Sequence, residues 1–193
     1  MFIELTDHLR CPEDHEESFL VLLPGKMEGR LVSEGLIGCP VCHRETRIVA
    51  GVADFGGAPV PRSAPPLTAE AAHALLGLDG PGGYLALVGG IGAIATSLAA
   101  LLPGISLVLV NPPADFPDSA VASVVRARRL PLKARSMRGI AVPAEFAGTP
   151  GWLEAAVDAV LPGLRVVAEG TAPTRNDLTV LAEAGGWWVG KKG

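Results

Sequence analysis

Residues 84–111 read YLALVGGIGAIATSLAALLPGISLVLVN, and the rest of the chain is organised around them. Tyr84–Val88 is a short apolar run, interrupted by Gly89, Gly90 and Gly92. Ala93–Leu102 is rich in helix formers, Pro103-Gly104 ends it, and Leu107–Val110 is a second apolar run. This order predicts a strand, a glycine turn, a helix and a parallel strand, the first crossover of an open α/β sheet. Glycines at such a turn let a ligand approach the backbone where unpaired N–H groups attract polar or anionic atoms. The uncharged run from Gly80 to Ala114 is also long enough to span a bilayer. The glycines, Pro103-Gly104 and the flanking Asp79 and Asp115, which give no positive-inside asymmetry, argue against that. Buried parallel strands read as continuous apolar runs in any case.

At 193 residues the chain makes one medium domain or two small ones. A formal net charge of −4 argues against general nucleic-acid binding. Apolar residues are 49% and aromatics only 5%, so the bulk is alanine, valine and leucine, with apolar surface left over for a partner. MFIELTDHLR at the start has early acids and no apolar core, unlike a signal peptide. Three cysteines, an odd count, do not suggest a disulfide framework, and a cytoplasmic location is expected.

Two cysteine positions frame residues 1–55: Cys11-Pro12-Glu13-Asp14-His15 and Gly38-Cys39-Pro40-Val41-Cys42-His43. Between them Phe19–Leu23 and Arg30–Val32 are expected to be strands joined through Pro24-Gly25. A Cys-Pro-x-Cys sequence makes a tight knuckle, and two knuckles across a hairpin hold a tetrahedral metal. The second knuckle is complete. In the first, Asp14 stands where the second cysteine belongs, and His15 gives a Cys-x3-His spacing that lets a neutral imidazole reach the metal. The expected zinc ligands are Cys11, His15, Cys39 and Cys42, with Asp14 as the alternative oxygen ligand and His43 an exposed loop residue.

LTDHLRCPEDHEE followed by LIGCPVCHRETRIVAGVADF resembles the zinc ribbon of the Trm112-like family. Those ribbons read Leu-x-Cys-Pro-x-Cys, then Cys-Pro-x-Cys-Gly and a further strand, for which Arg47–Val52 stands here. His43 replaces the usual glycine. The resemblance implies a docking or activating module for methyltransferases, free or fused to one.

Gly56 to Pro66, GGAPVPRSAPP, reads as a semi-rigid linker, so the expected division is a ribbon at 1–55, a linker at 56–66 and a second domain at 67–193. In the second domain Thr68 caps a helix at Ala69–Leu76, ended by Gly77, with His73 a packed or exposed bystander. Ala122–Arg126 and Gly139–Val142 are strand candidates. Thr149-Pro150-Gly151-Trp152 reads as the start of a helix running to Leu161, closed by Pro162-Gly163, with Leu164–Ala168 the next strand. Asp177–Ala184 is expected to be a last helix, and Trp187–Val189 a final strand. The fold class is therefore α/β: a small β-rich ribbon plus a truncated, mostly parallel Rossmann-like sheet with helices on both faces.

ARRLPLKARSMRGIAV, WLEAAVDAVLPGLRVVAEG and LTVLAEAGGWWVG, in that order, resemble a class I S-adenosylmethionine-dependent methyltransferase over about residues 83–191. The resemblance implies cofactor contacts at Gly89, Gly90, Gly92 and Asn111. The departures are specific. The first-strand acid position holds Ala86 or Leu87, Val88 replaces one glycine, and Asn111 stands where an acid would hold the ribose. Arg138 or Gly139 replaces a later aspartate. The stretch between Val110 and Ala122 is too short for the usual helix, and too little chain follows for the family's final hairpin. These losses lead to an expectation of poor or absent S-adenosylmethionine binding, and of a catalytically silent assembly or regulatory module that dimerises or docks on a protein partner. An active methyltransferase is the alternative reading. A nucleic-acid reader using Arg126, Arg128, Arg129, Lys133, Arg135 and Arg138 is a third, although a charge run is usually a solvated face. Trp187-Trp188 are expected to be buried in the sheet rather than partner anchors.

Overall fold

Every residue of β5 (Tyr84–Val88) is buried, and the strand pairs in parallel with β6 (Ser106–Val110) from Tyr84↔Ser106 to Val88↔Val110. A six-residue 3-10 turn, Gly89–Ile94, leads from β5 into the seven-residue helix α2 (Ala95–Leu101), so the expected crossover is present with its first turns tightened. The computed structural model describes residues 1–114 and 121–193.

The remaining strands are β1 (Val21–Glu28), β2 (Leu31–Gly38), β3 (Glu45–Val49), β4 (Val52–Phe55), β7 (Ala122–Ala127), β8 (Met137–Val142), β9 (Val160–Glu169), β10 (Leu178–Ala184) and β11 (Trp187–Lys192). Among the described residues they form one sheet in the order β1-β2-β3-β4-β7-β6-β5-β8-β9-β11-β10. The stretch β7-β6-β5-β8-β9 is parallel and follows the 3-2-1-4-5 order of a doubly wound sheet. β4 pairs in parallel with β7, Val52↔Val124 to Phe55↔Ala127, which joins the cysteine-bearing meander to the parallel core.

Alternation along the strands builds two cores. Leu85, Leu87, Leu107 and Leu109 face α1 (Ala69–Leu76) and α2. Ala86, Val88, Val108 and Val110 face the other way, toward α4 (Trp152–Ala159) and the N-terminal Leu5 and Leu9. Helix α1 begins and ends as its sequence dictates: Thr68 accepts a hydrogen bond from the Ala71 N–H, and Gly77 closes it at φ 58°. Among the described residues no helix is long and apolar enough to cross a membrane.

Four local expectations are corrected. Pro24-Gly25 is not the first hairpin turn but lies within β1, at a register shift. The turn is Gly29-Arg30, with Gly29 at φ 58°. A proline without an N–H is tolerated there because β1 is an edge strand. Thr149 does not cap α4; its hydroxyl donates to the Glu145 carbonyl at 3.1 Å, and Gly151, at φ 81°, is the N-cap. The helix ends at Ala159, and Pro162-Gly163 falls inside β9, which pairs with β8 and β11. Residues 177–184 are not helical. Leu178–Ala184 is β10, paired antiparallel with β11 through Gly185 (φ 59°) and Gly186 (φ 81°). Two positive-φ residues make the hairpin turn that matches strand twist, and the ladder it closes overrides local helix propensity. That hairpin also supplies the final pair of strands for which the chain looked too short. The expected crossover between Val110 and Ala122 falls partly on residues 115–120, outside the described residues.

Candidate metal centre

The cysteines come together because two turns face one another across the β1–β2–β3 meander. The second knuckle follows β2 and is closed by Cys39 N–H to the Arg44 carbonyl and His43 N–H to the Cys39 carbonyl, both 2.9 Å. His43 has φ 58°, the left-handed conformation that glycine adopts freely and other residues rarely do. Its side chain is exposed. The first knuckle is held from below. Leu9 bridges Leu132, and the Arg10 N–H donates to the Pro131 carbonyl at 2.9 Å, so the chain enters Cys11 from a fixed point beside residues 131–132.

One ligand atom each from Cys11, His15, Cys39 and Cys42 lies within 4.8 Å of the others. Cys11 Sγ is 3.6 Å from Cys42 Sγ, and Cys39 Sγ is 3.4 Å from His15 Nε2. A tetrahedral zinc with sulfurs at ~2.3 Å and nitrogen at ~2.0 Å needs edges of about 3.8 Å and 3.5 Å, so the donor set fits the ion. His15 Nδ1 lies 2.7 Å from the Glu16 carbonyl. A carbonyl only accepts, so Nδ1 carries the proton and the Nε2 lone pair is free to bind metal. Burial pushes the Cys11 thiol up to about 12. Burial also opposes ionisation of Cys39, but hydrogen bonds from the Cys42 and Val41 backbone outweigh it and bring that thiol down to about 7. Asp14 is exposed and is not one of the four clustered residues.

Asn111 and the glycine turn, expected from the sequence to contact a cofactor, are engaged with the chain itself. Asn111 is 3% exposed, at φ 52°. Its Nδ2 donates to the Ala127 carbonyl and its Oδ1 accepts from the Ala127 N–H, both at 2.8 Å. Gly57 of the 56–66 segment packs so closely on this pair that a Cβ there would strike Asn111 Oδ1 and the Ala127 backbone. The same segment reaches Gly90, where a Cβ would lie 3.8 Å from Ser63 Oγ and 3.9 Å from Pro66 Cδ. Gly89, at φ 56°, is covered by Glu145 and Phe146 of α3 (Ala144–Ala147), and a Cβ at Gly92 would lie 3.0 Å from Pro112. The carboxyl ends of β5, β6 and β7 are thus roofed by the chain itself.

The arginine run is dispersed. Arg138 donates to the carbonyls of Asp79, Gly80, Pro81 and Gly82, at 2.5 to 3.1 Å. Lys133 Nζ donates to the Asp7 carbonyl and Arg128 Nε to that of Gly56. Trp188 is 1% exposed and Trp187 half-buried. Two adjoining cavities, of about 400 Å³ and 300 Å³, open beside the first knuckle and share Pro12, Glu13, Asp14 and Arg129. Sequence reasoning missed them because Arg10, Arg44, Phe55 and Trp152, which complete their walls, lie far apart in the chain.

No family model and no curated protein matches the chain. Among solved structures, it is similar to a candidate methyltransferase of an antibiotic biosynthesis pathway from Anabaena variabilis, at TM-score 0.43 and 17% identity over 52% of this chain and 43% of that one. It is also similar to a chain of the complex between the Haloferax volcanii Trm112 methyltransferase activator and a candidate methyltransferase, at 0.42 and 19% over 52% and 50%. A third is the antibiotic-resistance methyltransferase Kmr, at 0.43 and 15% over 69% and 96%. The chain spans half or less of the first two proteins.

Proposed function

We propose that this protein is a zinc-binding, methyltransferase-like module that is catalytically silent and acts in assembly or regulation. The observation that carries the reading is Asn111, whose amide is fully committed to the Ala127 backbone. A ribose held there would have to displace both hydrogen bonds and leave two buried backbone groups unpaired, at about 1–3 kcal/mol each. The self-packed glycine turn supports the same conclusion. Cys11, His15, Cys39 and Cys42 would hold zinc with four protein ligands and no open position, the arrangement of a structural ion that ties the meander together. An assembly role is supported by the outer face of the meander, where Phe19 (66% exposed), Leu23 (60%) and Val49 (63%) stand in solvent.

Calorimetry of the metal-loaded protein with S-adenosylmethionine and S-adenosylhomocysteine tests the silent reading. No saturable binding is expected; a dissociation constant below about 10 µM for either would restore the active methyltransferase. Metal analysis is expected to give one zinc per chain, lost or much weakened in His15→Ala. Equal zinc content in that variant would move the fourth ligand to Asp14. Light scattering at high micromolar concentration separates a homodimer from a module that needs a different protein partner.

A further inference from the structure

We propose that the paired cavity beside the first knuckle binds a small organic oxyanion, a carboxylate or phosphate, attached to a flat apolar group. The cavity has two unlike walls. One is apolar: Leu130, Pro150, Ala155 and the buried Trp152, whose indole N–H is fixed by the Arg128 carbonyl at 3.1 Å. The other is cationic, with Arg10, Arg44, Arg128 and Arg129 against Glu13 and Asp14, in a chain whose net charge is −4. Two of those four charges face a carboxylate, and a third guanidinium is held by a neutral carbonyl. Arg44 pairs with Glu13, Arg10 lies 3.8 Å from Glu17, and Arg128 holds the Gly56 carbonyl at 2.9 Å. Arg129 is exposed and has no hydrogen bond or ion pair among the described residues. A planar guanidinium facing an apolar wall recognises an oxyanion in bidentate fashion while the wall takes the carbon body. Asp14 on the shared rim repels further negative charge, so one anionic group fits and a polyanion such as a nucleic-acid strand does not. A volume near 400 Å³ suits a single-ring compound.

The test uses the full chain with its metal content measured, phenyl phosphate and benzoate as probes, and inorganic phosphate and acetate as controls. The readout is the Trp152 indole N–H resonance, assigned with Trp152→Phe. Saturable shifts at submillimolar to low-millimolar concentration are expected for at least one probe, and the tighter of the two identifies the oxyanion. Arg129→Gln should weaken binding at least tenfold. Ala155→Leu, which fills the apolar wall from another element, should weaken it comparably, while Arg47→Gln on the far meander should leave it unchanged. No saturation by about 10 mM overturns the proposal. So does inorganic phosphate binding as tightly as phenyl phosphate, or undiminished binding in both Arg129→Gln and Ala155→Leu.

Discussion

Asn111 is the residue on which the proposed silent reading turns. Its left-handed backbone and its two hydrogen bonds to Ala127 make it a splice between β6 and β7. Placing an acid there is expected to destabilise the protein. Asn111→Asp would set a buried carboxylate against the Ala127 carbonyl, costing about 3 kcal/mol or more. Urea denaturation should register that loss, and calorimetry should still find no S-adenosylmethionine binding. His15 is the counterpart in the Cys/His cluster. Its Nδ1 hydrogen bond to Glu16 fixes the tautomer that a metal would need, so if the cluster holds the proposed zinc, His15→Ala should lower both the metal content and the melting temperature.

Among the elements, the 56–66 segment departs furthest from a passive linker. It runs over the carboxyl ends of the strands, and Gly57 seats it against β7 with no space for a side chain. Gly57→Ala is expected to destabilise by about 2 kcal/mol, because the obstacle is backbone that cannot rotate away. Thermal melts of that variant against Gly80→Ala, where a Cβ meets nothing within 4 Å, separate crowding from glycine conformation. Alanine at position 80 would be strained by the left-handed backbone, φ 74°, whereas Gly57 has no positive φ, so a larger loss at Gly80 than at Gly57 would count against close packing of the segment. The β10–β11 hairpin is the other element that sets the outline of the fold. In the sequence its turn, Gly185-Gly186, reads as the stop of a helix, and its first strand as that helix.

Across the whole molecule, charge ties the last hairpin to α4. Arg175 bonds Asp177 through Nε at 2.8 Å and Asp158 through Nη2 at 2.6 Å, and the buried Lys192 reaches Asp177 at 2.6 Å. Arg175 first, and then Lys192, hold the Asp177 carboxyl well below its ordinary value of 3.8. A carboxylate with a depressed folded-state pKa stabilises the fold above the ordinary value, and that contribution fades as pH falls below it. The melting temperature should therefore drop between pH 4 and pH 2, and less steeply in Asp177→Asn. An identical acid profile in the variant would show that other carboxylates govern the transition.

The sequence alone determined the central crossover, because an apolar run, a glycine turn and a second apolar run state their structure within 28 residues. It determined α1 through Thr68 and Gly77, and it marked the cysteine knuckles by spacing. These signals are local, and local physics suffices to read them. Tertiary structure decided what depends on distant partners. Leu178–Ala184 has a composition that suits a helix, and only the ladder offered by β11 makes it a strand. Pro162-Gly163 looks like a helix stop, yet it lies in an unpaired irregularity of β9, between Val160, which pairs with Met137 of β8, and Arg165–Glu169, which pair with β8 and β11. The fate of the Asn111 amide was set by Ala127, sixteen residues on, and by a glycine from the 56–66 segment. The arginine-walled cavity, too, exists only where residues 10–14, 44, 128–130 and 150–155 converge, since hydrogen bonds and close packing across a sheet leave no periodic trace in the chain.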